Sequence, residues 1–236
     1  PAARDRRMRE GAVKHLAETI RFAARAGART VVCHAGYAPM GRRSKRLLHL
    51  LSRAGSKDDP RYRRALERAW RLRDRRAPGA LDRLRNTLDQ LLPVLERHNV
   101  QLALENLPSL ESLPSEREVL PLLETLPGNR LAYWHDFGHG RIRENMGLTN
   151  HRRTVERLAA RTAGYHLHDV RDGLHDHVLP PGGEIDYTAF AEAIRPEVPW
   201  VLEPAPGTPA PALRKAADYI ASAWRPPTGA KKEGAL

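Results

Sequence analysis

Side chains that can bind a metal ion recur at the ends of five short apolar segments. The segments span residues 30–34, 100–106, 131–136, 164–169 and 199–203, and close on or near His34, Glu105, Asp136, His166 and Glu203. Carboxylates and imidazoles are hard-to-borderline ligands, so this set of residue types favours a divalent metal ion. If the five segment ends meet in the folded chain, they predict a metal centre.

Five parallel strands would bring these segment ends together. Each segment is apolar almost throughout and carries its first polar residue where it ends, which is typical of a buried parallel strand. The carboxyl ends of such strands share one edge of the sheet, where α/β folds place their chemistry. Burying several carboxylates without a counter-charge is costly, and no Lys or Arg stands at the adjacent strand ends. A bound cation would supply the missing charge.

Helical segments alternate with these strands. Apolar periodicity predicts helices over about 5–26, two or three within 44–98, and others near 115–125, 149–162, 188–195 and 209–224. Residues 170–184 are predicted to form a long polar loop, and a marginal sixth strand is predicted around 184–187. Alternating strands and helices indicate parallel βα units joined by right-handed crossovers.

The number of strands leaves two architectures open. Either the sheet is open, or the chain is an eight-stranded TIM barrel that lacks its first two βα units, and the abrupt start at Pro1 favours the second. We predict one domain over residues 1–224 and a flexible basic tail over 225–236.

Composition narrows the functional classes. The net charge of +12 comes mostly from arginines scattered through the helices, which favours a solvated basic surface over a nucleic-acid interface. The single cysteine, Cys33, lies within a predicted strand, which excludes a disulfide framework and suits a reducing cytoplasm. No apolar run approaches the roughly 20 residues of a membrane helix, so no membrane partner is expected.

Five motifs occur along the chain: ALEN at 103–106, WHDFGH at 134–139, HLHDV at 166–170, DHVLPPGGEIDY at 176–187 and VLEP at 201–204. In this order they resemble the signatures of the xylose isomerase-like TIM-barrel superfamily. This superfamily contains sugar-phosphate isomerases and epimerases as well as enzymes of the endonuclease IV type. The resemblance covers residues 10–224. In such barrels the unit that ends in His-x-Gly, here residues 34–36, is the third, which agrees with two absent units.

The resemblance implies roles for particular side chains. It makes Glu105, Asp136, His166 and Glu203 the metal ligands, and places His34, His139, His168 and His177 near the substrate. His166 and His168 would point the same way on a strand, so either could reach the ion. For His34 and His139, the resemblance leaves substrate contact and ligation of a further metal open. The loop at 181–184 is one residue shorter than usual, which leaves the geometry of His177 open.

The leading functional hypothesis is a metal-dependent isomerase or epimerase of a small sugar, sugar phosphate or polyol. Mn²⁺ or Mg²⁺ is the expected ion, with Zn²⁺ or Co²⁺ as alternatives, and Glu105 and Glu203 would exchange the proton. The alternative is an endonuclease IV-like phosphodiesterase acting on abasic DNA, which the positive charge favours. The absent units and the lack of aromatics among the basic residues count against it. A third hypothesis is that an open barrel of this length is inactive. The oligomeric state stays open.

Overall fold

A curled sheet of five parallel strands forms the centre of the computed structural model, which describes residues 1–126 and 129–225. In spatial order the strands are β1 (Thr30–Cys33), β2 (Gln101–Glu105), β3 (Leu131–Asp136), β4 (Thr162–Leu167) and β7 (Trp200–Leu202). A separate antiparallel hairpin consists of β5 (Asp169–Arg171) and β6 (His175–Val178). The five clear strands and the partial TIM barrel predicted from the sequence are therefore confirmed.

Helices cover the outer face of the sheet. They are α1 (Arg6–Arg25), α2 (Arg43–Ala54), α3 (Pro60–His98), α4 (Val119–Leu123), α5 (Phe137–Asn145), α6 (His151–Leu158) and α7 (Ala210–Ala223), with 3-10 turns at Ala159–Arg161 and Tyr187–Ala193. The long helix α3 begins after Asp59, whose carboxylate caps two backbone amides, and ends at Asn99 in a left-handed conformation. Within the described ranges, no helix combines the length and apolarity needed to cross a membrane.

The two faces of the sheet carry different side chains. Residues that point toward the helices, such as Leu102, Leu104 and Tyr133, join the main hydrophobic core. The opposite, concave face carries a small cluster around Ala103, Ala132 and Trp134. Because side chains alternate along a strand, Glu105 and Asp136 lie on this same concave face.

The loop between β2 and α4, residues 106–118, is held by two buried arginines. Arg73 of α3 donates to both carboxylate oxygens of Glu118, at 2.6 and 2.8 Å, and to two loop carbonyls. Arg143 of α5 forms a similar two-pronged pair with Glu116 and donates to the carbonyl of Ser109. Burial alone would raise the pKa of each glutamate, but its arginine and backbone hydrogen bonds together outweigh that effect and lower the pKa.

Three local predictions were wrong. The marginal strand around 184–187 is absent from the described sheets, because the amides of Gly183 and Ile185 donate to the Asp169 carboxylate and not to a neighbouring strand. The polar loop 170–184 contains most of the β5–β6 hairpin. Helix α5 begins directly after β3, where no helix was predicted. The predicted tail lies outside the described residues beyond Arg225, and the single domain over 1–224 stays a prediction.

Candidate metal centre at the carboxyl ends of the strands

Four predicted ligands meet at the carboxyl ends of the strands. Glu105 ends β2, Asp136 ends β3, His166 lies near the end of β4, and Glu203 follows β7. One nitrogen or oxygen atom from each residue lies within 4.8 Å of the corresponding atom of every other. Glu105 and Asp136 are buried, whereas 40% of the Glu203 side chain is exposed to solvent. The cluster is thus open on the side of Glu203.

Glu105 is held by two histidines. His166 Nδ1 lies 2.8 Å from Glu105 Oε1, and His34 Nε2 lies 2.9 Å from Glu105 Oε2. Burial alone would raise the pKa of Glu105, but these hydrogen bonds lower it. The hydrogen bond to Glu105 raises the pKa of His34. Burial alone would lower the pKa of His166, but the hydrogen bond to Glu105 and the nearby carboxylate charges together raise it. When protonated, these imidazoles would offset the negative charge of Glu105 in this geometry.

Asp136 is fixed through both its backbone and its side chain. The side chain of Asn106 hydrogen-bonds to both backbone polar atoms of Asp136. It accepts from Asp136 N at 2.7 Å and donates to Asp136 O at 2.9 Å. The Asp136 carboxylate caps α5 by accepting from His139 N at 2.7 Å, and it lies 3.1 Å from His168 Nε2. Burial would raise the pKa of Asp136, but His139 and His168 lower it strongly. Sequence reasoning missed the role of Asn106, although it follows Glu105 directly in the ALEN motif.

The four histidines predicted to contact substrate occupy different depths. His34 is the most exposed, with 60% of its side chain accessible, and His177 lies on β6 at intermediate exposure. His139 is nearly buried, and its Nδ1 donates to the Asn106 carbonyl at 2.9 Å. For these three the predicted contact stays a prediction. His168 is completely buried behind Asp136, a position that favours support of Asp136 over contact with a substrate.

No arginine or lysine among the described residues comes within 4.0 Å of the carboxylates of Glu105, Asp136 or Glu203, in agreement with the sequence. Within residues 1–126 and 129–225, three carboxylates and an imidazole in so small a volume therefore have only histidines as counter-charge. Oxygen-rich sets of this kind, with one nitrogen donor, suit hard-to-borderline divalent cations. The residues present thus fit the metal ion that the sequence predicts.

His135 lies on the opposite face of β3 from Asp136, because side chains alternate along a strand. It precedes Asp136 but points to the helix side, where Nδ1 bonds the Tyr133 hydroxyl and Nε2 bonds His151 Nε2, both at 2.9 Å. Burial lowers the pKa of His135 to about 4. This histidine therefore belongs to the packing between β3 and α6 and not to the metal centre.

Comparison with known proteins shows the family. Residues 1–223 match the family described as Xylose isomerase-like TIM barrel, and the chain belongs to that family. No curated protein matches its sequence significantly.

Solved structures show the same fold at low sequence identity. A D-tagatose 3-epimerase-like protein is 20% identical with a TM-score of 0.67, over 94% of this chain and 72% of that one. An L-ribulose 3-epimerase is 16% identical with a TM-score of 0.62, over 92% and 62%. The IOLI protein, with a bound zinc atom, is 14% identical with a TM-score of 0.62, over 94% and 72%. The chain therefore spans about two thirds of the length of these proteins.

Proposed function

We propose that this chain is a divalent-metal-dependent isomerase or epimerase acting on a sugar or sugar phosphate. The observation that carries the proposal is the convergence of Glu105, Asp136, His166 and Glu203, where the described part of the chain offers only histidines as counter-charge. The epimerases among proteins of the same fold support the choice of reaction. The zinc atom of the IOLI protein supports a metal ion without deciding which one this chain prefers.

The four converging residues would hold the ion. When bound, a divalent cation supplies positive charge that stabilises substrate oxygens as they become negative. Glu105 and Glu203 would move the proton. One carboxylate, ionised, removes it from the carbon next to the substrate carbonyl, and the other, protonated at the start, returns a proton to the opposite face. Glu105 ends β2 and Glu203 follows β7, and β3 and β4 lie between these two strands in the sheet, so the two carboxylates approach from different sides.

The histidines around the two glutamates would bind the substrate and orient it. His34 holds Glu105 at 2.9 Å and is exposed enough to meet a substrate hydroxyl. The Nδ1 of His139 is engaged with the Asn106 carbonyl, so its Nε2 is the nitrogen available to a substrate. Because Glu105 is buried and Glu203 is not, we expect Glu105 to be the more rigidly placed of the proton carriers.

The test is Glu203→Gln, compared with the exposed control Glu192→Gln, in the presence of Mn²⁺. We expect the wild-type protein and the control to interconvert 3-epimeric ketoses and to exchange solvent deuterium into the sugar. Glu203→Gln should lose both reactions while keeping its circular dichroism spectrum. Epimerisation retained in Glu203→Gln would contradict the proposed role of Glu203.

The alternative, phosphodiester cleavage of abasic DNA, is favoured by the charge of +12 and by two further groups of potential ligands. These groups, Asp136 with His139 and His168, and His168 with His177 and Glu203, both depend on His168. Metal stoichiometry separates the two functions. About one ion per chain supports the epimerase, and about three support multi-metal hydrolysis.

A further inference from the structure

His168 occupies an unusual place just beyond the end of β4. Its side chain is fully buried, although it was expected to face a substrate. Its Nε2 lies 3.1 Å from Asp136 Oδ2 and 3.0 Å from Asp136 Oδ1. Its Nδ1 accepts from the backbone amide of His177 at 2.9 Å. Both ring nitrogens are therefore engaged within the protein.

These partners define the protonation of the ring. A backbone amide can only donate, so His168 Nδ1 must carry a lone pair. The neutral ring then has its proton on Nε2, where it donates to Asp136. The carbonyl oxygen of Asp169 also lies near Nδ1, but at 3.4 Å, and would need a proton there. The shorter amide contact assigns the Nε2–H form.

The surroundings leave the ring little freedom. A Cβ added at Gly138 would lie 1.9 Å from His168 Cε1, so the ring occupies the space that a side chain at position 138 would need. On the other side the His177 ring stacks on it, with centroids 4.3 Å apart and planes 7° apart. The Tyr187 hydroxyl donates to the His168 carbonyl at 3.0 Å.

The β5–β6 hairpin places the amide that contacts His168. At the base of the hairpin, the Asp169 carboxylate accepts from the amides of Val170, Gly183 and Ile185 at 2.8–3.0 Å. His177 has a φ of +56°, a conformation that a residue with a side chain rarely adopts unless its surroundings impose it. This conformation accompanies an amide directed at His168 Nδ1.

We infer that His168 is a positioning residue for Asp136, held in its Nε2–H form by the His177 amide of the hairpin. This inference rests on the metal centre of the proposed function. Outer partners that hydrogen-bond a ligating carboxylate fix its orientation, and their loss commonly costs about 10- to 100-fold in metal affinity. With both nitrogens engaged, His168 is not free to be a ligand, so we expect the centre to take one ion.

Two conservative variants separate the two hydrogen bonds. In His168→Gln the side-chain amide nitrogen can occupy roughly the place of Nε2 and still donate to Asp136. In His168→Asn the amide oxygen can replace Nδ1 as the acceptor for His177, but no donor reaches Asp136. His175→Asn, on the exposed part of β6, is the matched control. Mn²⁺ affinity is measured by calorimetry, and thermal unfolding without metal shows which variants fold.

We expect His168→Asn to lose about 10- to 100-fold in Mn²⁺ affinity, and His168→Gln and the control to stay near wild type. Wild-type affinity in a folded His168→Asn, or equal losses in the Asn and Gln variants, would overturn the positioning role. Absence of Mn²⁺ binding in the wild-type protein would instead overturn the metal centre of the proposed function.

A measurement on the metal-free wild-type protein keeps the inference testable even if the variants do not fold. Long-range ¹H–¹⁵N spectra of the histidine rings distinguish the Nε2–H form from the Nδ1–H form and from the doubly protonated ring. We expect the neutral His168 ring, recorded at a pH alkaline enough that the doubly protonated form is absent, to be the Nε2–H form. The Nδ1–H form would overturn the inference.

Discussion

Two groups of carboxylates in this molecule, one partly buried and one buried, differ in what neutralises them. Glu116 and Glu118, in the loop after β2, are paired with Arg143 and Arg73. Glu105 and Asp136, at the strand ends, are contacted by histidines alone among the described residues. The charge of arginine is permanent, whereas that of histidine is lost near neutral pH. The arginine pairs of the first group therefore have a structural role. In the second group, the histidines can lose their protons, and a bound cation can replace that positive charge.

The largest expected effect is on folding, at the arginine pair. Arg143→Ala should lower the free energy of unfolding by about 3–5 kcal/mol, because Glu116, with only 13% of its side chain exposed, would lose the charge that neutralises it. Urea denaturation measures the loss. Arg152→Ala, which breaks the exposed pair with Glu156, is the control and should change little. Similar small changes in both would remove the distinction between the two groups.

Substituting one glutamate from each group should affect two different properties: metal affinity for the strand-end group and folding stability for the arginine-paired group. Glu105→Gln should lose at least about 100-fold in metal affinity, since it removes a charged ligand rather than an outer partner. Glu118→Gln should keep the metal affinity but lose about 1–3 kcal/mol of stability, because it weakens the pair with buried Arg73. Calorimetric metal titration and urea denaturation on both variants give the comparison. Loss of metal binding in both would contradict it.

Metal binding should depend on pH in a defined direction. The pKa of His166 is raised in the metal-free protein, so its proton must be displaced before the nitrogen can bind an ion. As the pH is lowered, metal affinity should therefore begin to fall while the pH is still above the ordinary histidine pKa of about 6.5. The fall should reach up to about tenfold per pH unit for each proton displaced. Titrations between about pH 5.5 and 8 measure it. Affinity independent of pH would contradict the ligand set.

The smallest effect is expected at His135. Because its ring faces His151 and not the strand ends, His135→Gln should leave metal affinity unchanged, whereas Asp136→Asn should weaken it sharply. Metal titrations of the two variants are compared at one pH. Equal losses would mean that the side-chain alternation along β3 is misassigned.

The strands and their ends were the most predictable part of the molecule. A strand covered on both faces is apolar almost throughout, so its first polar residue marks where it ends. This rule placed Glu105, Asp136 and Glu203 at one edge of the sheet, and the parallel register bears out that placement. Local composition carried this information without any knowledge of tertiary contacts.

Other features depend on contacts between residues distant in the sequence. The β5–β6 hairpin pairs short polar strands whose base is held by the Asp169 carboxylate, a pattern with no apolar periodicity. The position of His168 was also beyond sequence reasoning. The period-two rule places it beside His166, but β4 ends at Leu167 and the ring lies behind Asp136.

Helix α5 carries two glycines whose consequence reaches past the geometry of the site. A Cβ at Gly138 would collide with the His168 ring, and one at Gly140 would lie 2.5 Å from His151 Nε2. Any larger residue at position 138 would displace the His168 ring, and any larger residue at position 140 would displace the His151 ring. In a saturation-mutagenesis library selected for activity, both positions should tolerate as few substitutions as the predicted ligands do. Mutational intolerance alone would thus overstate how many residues touch the substrate.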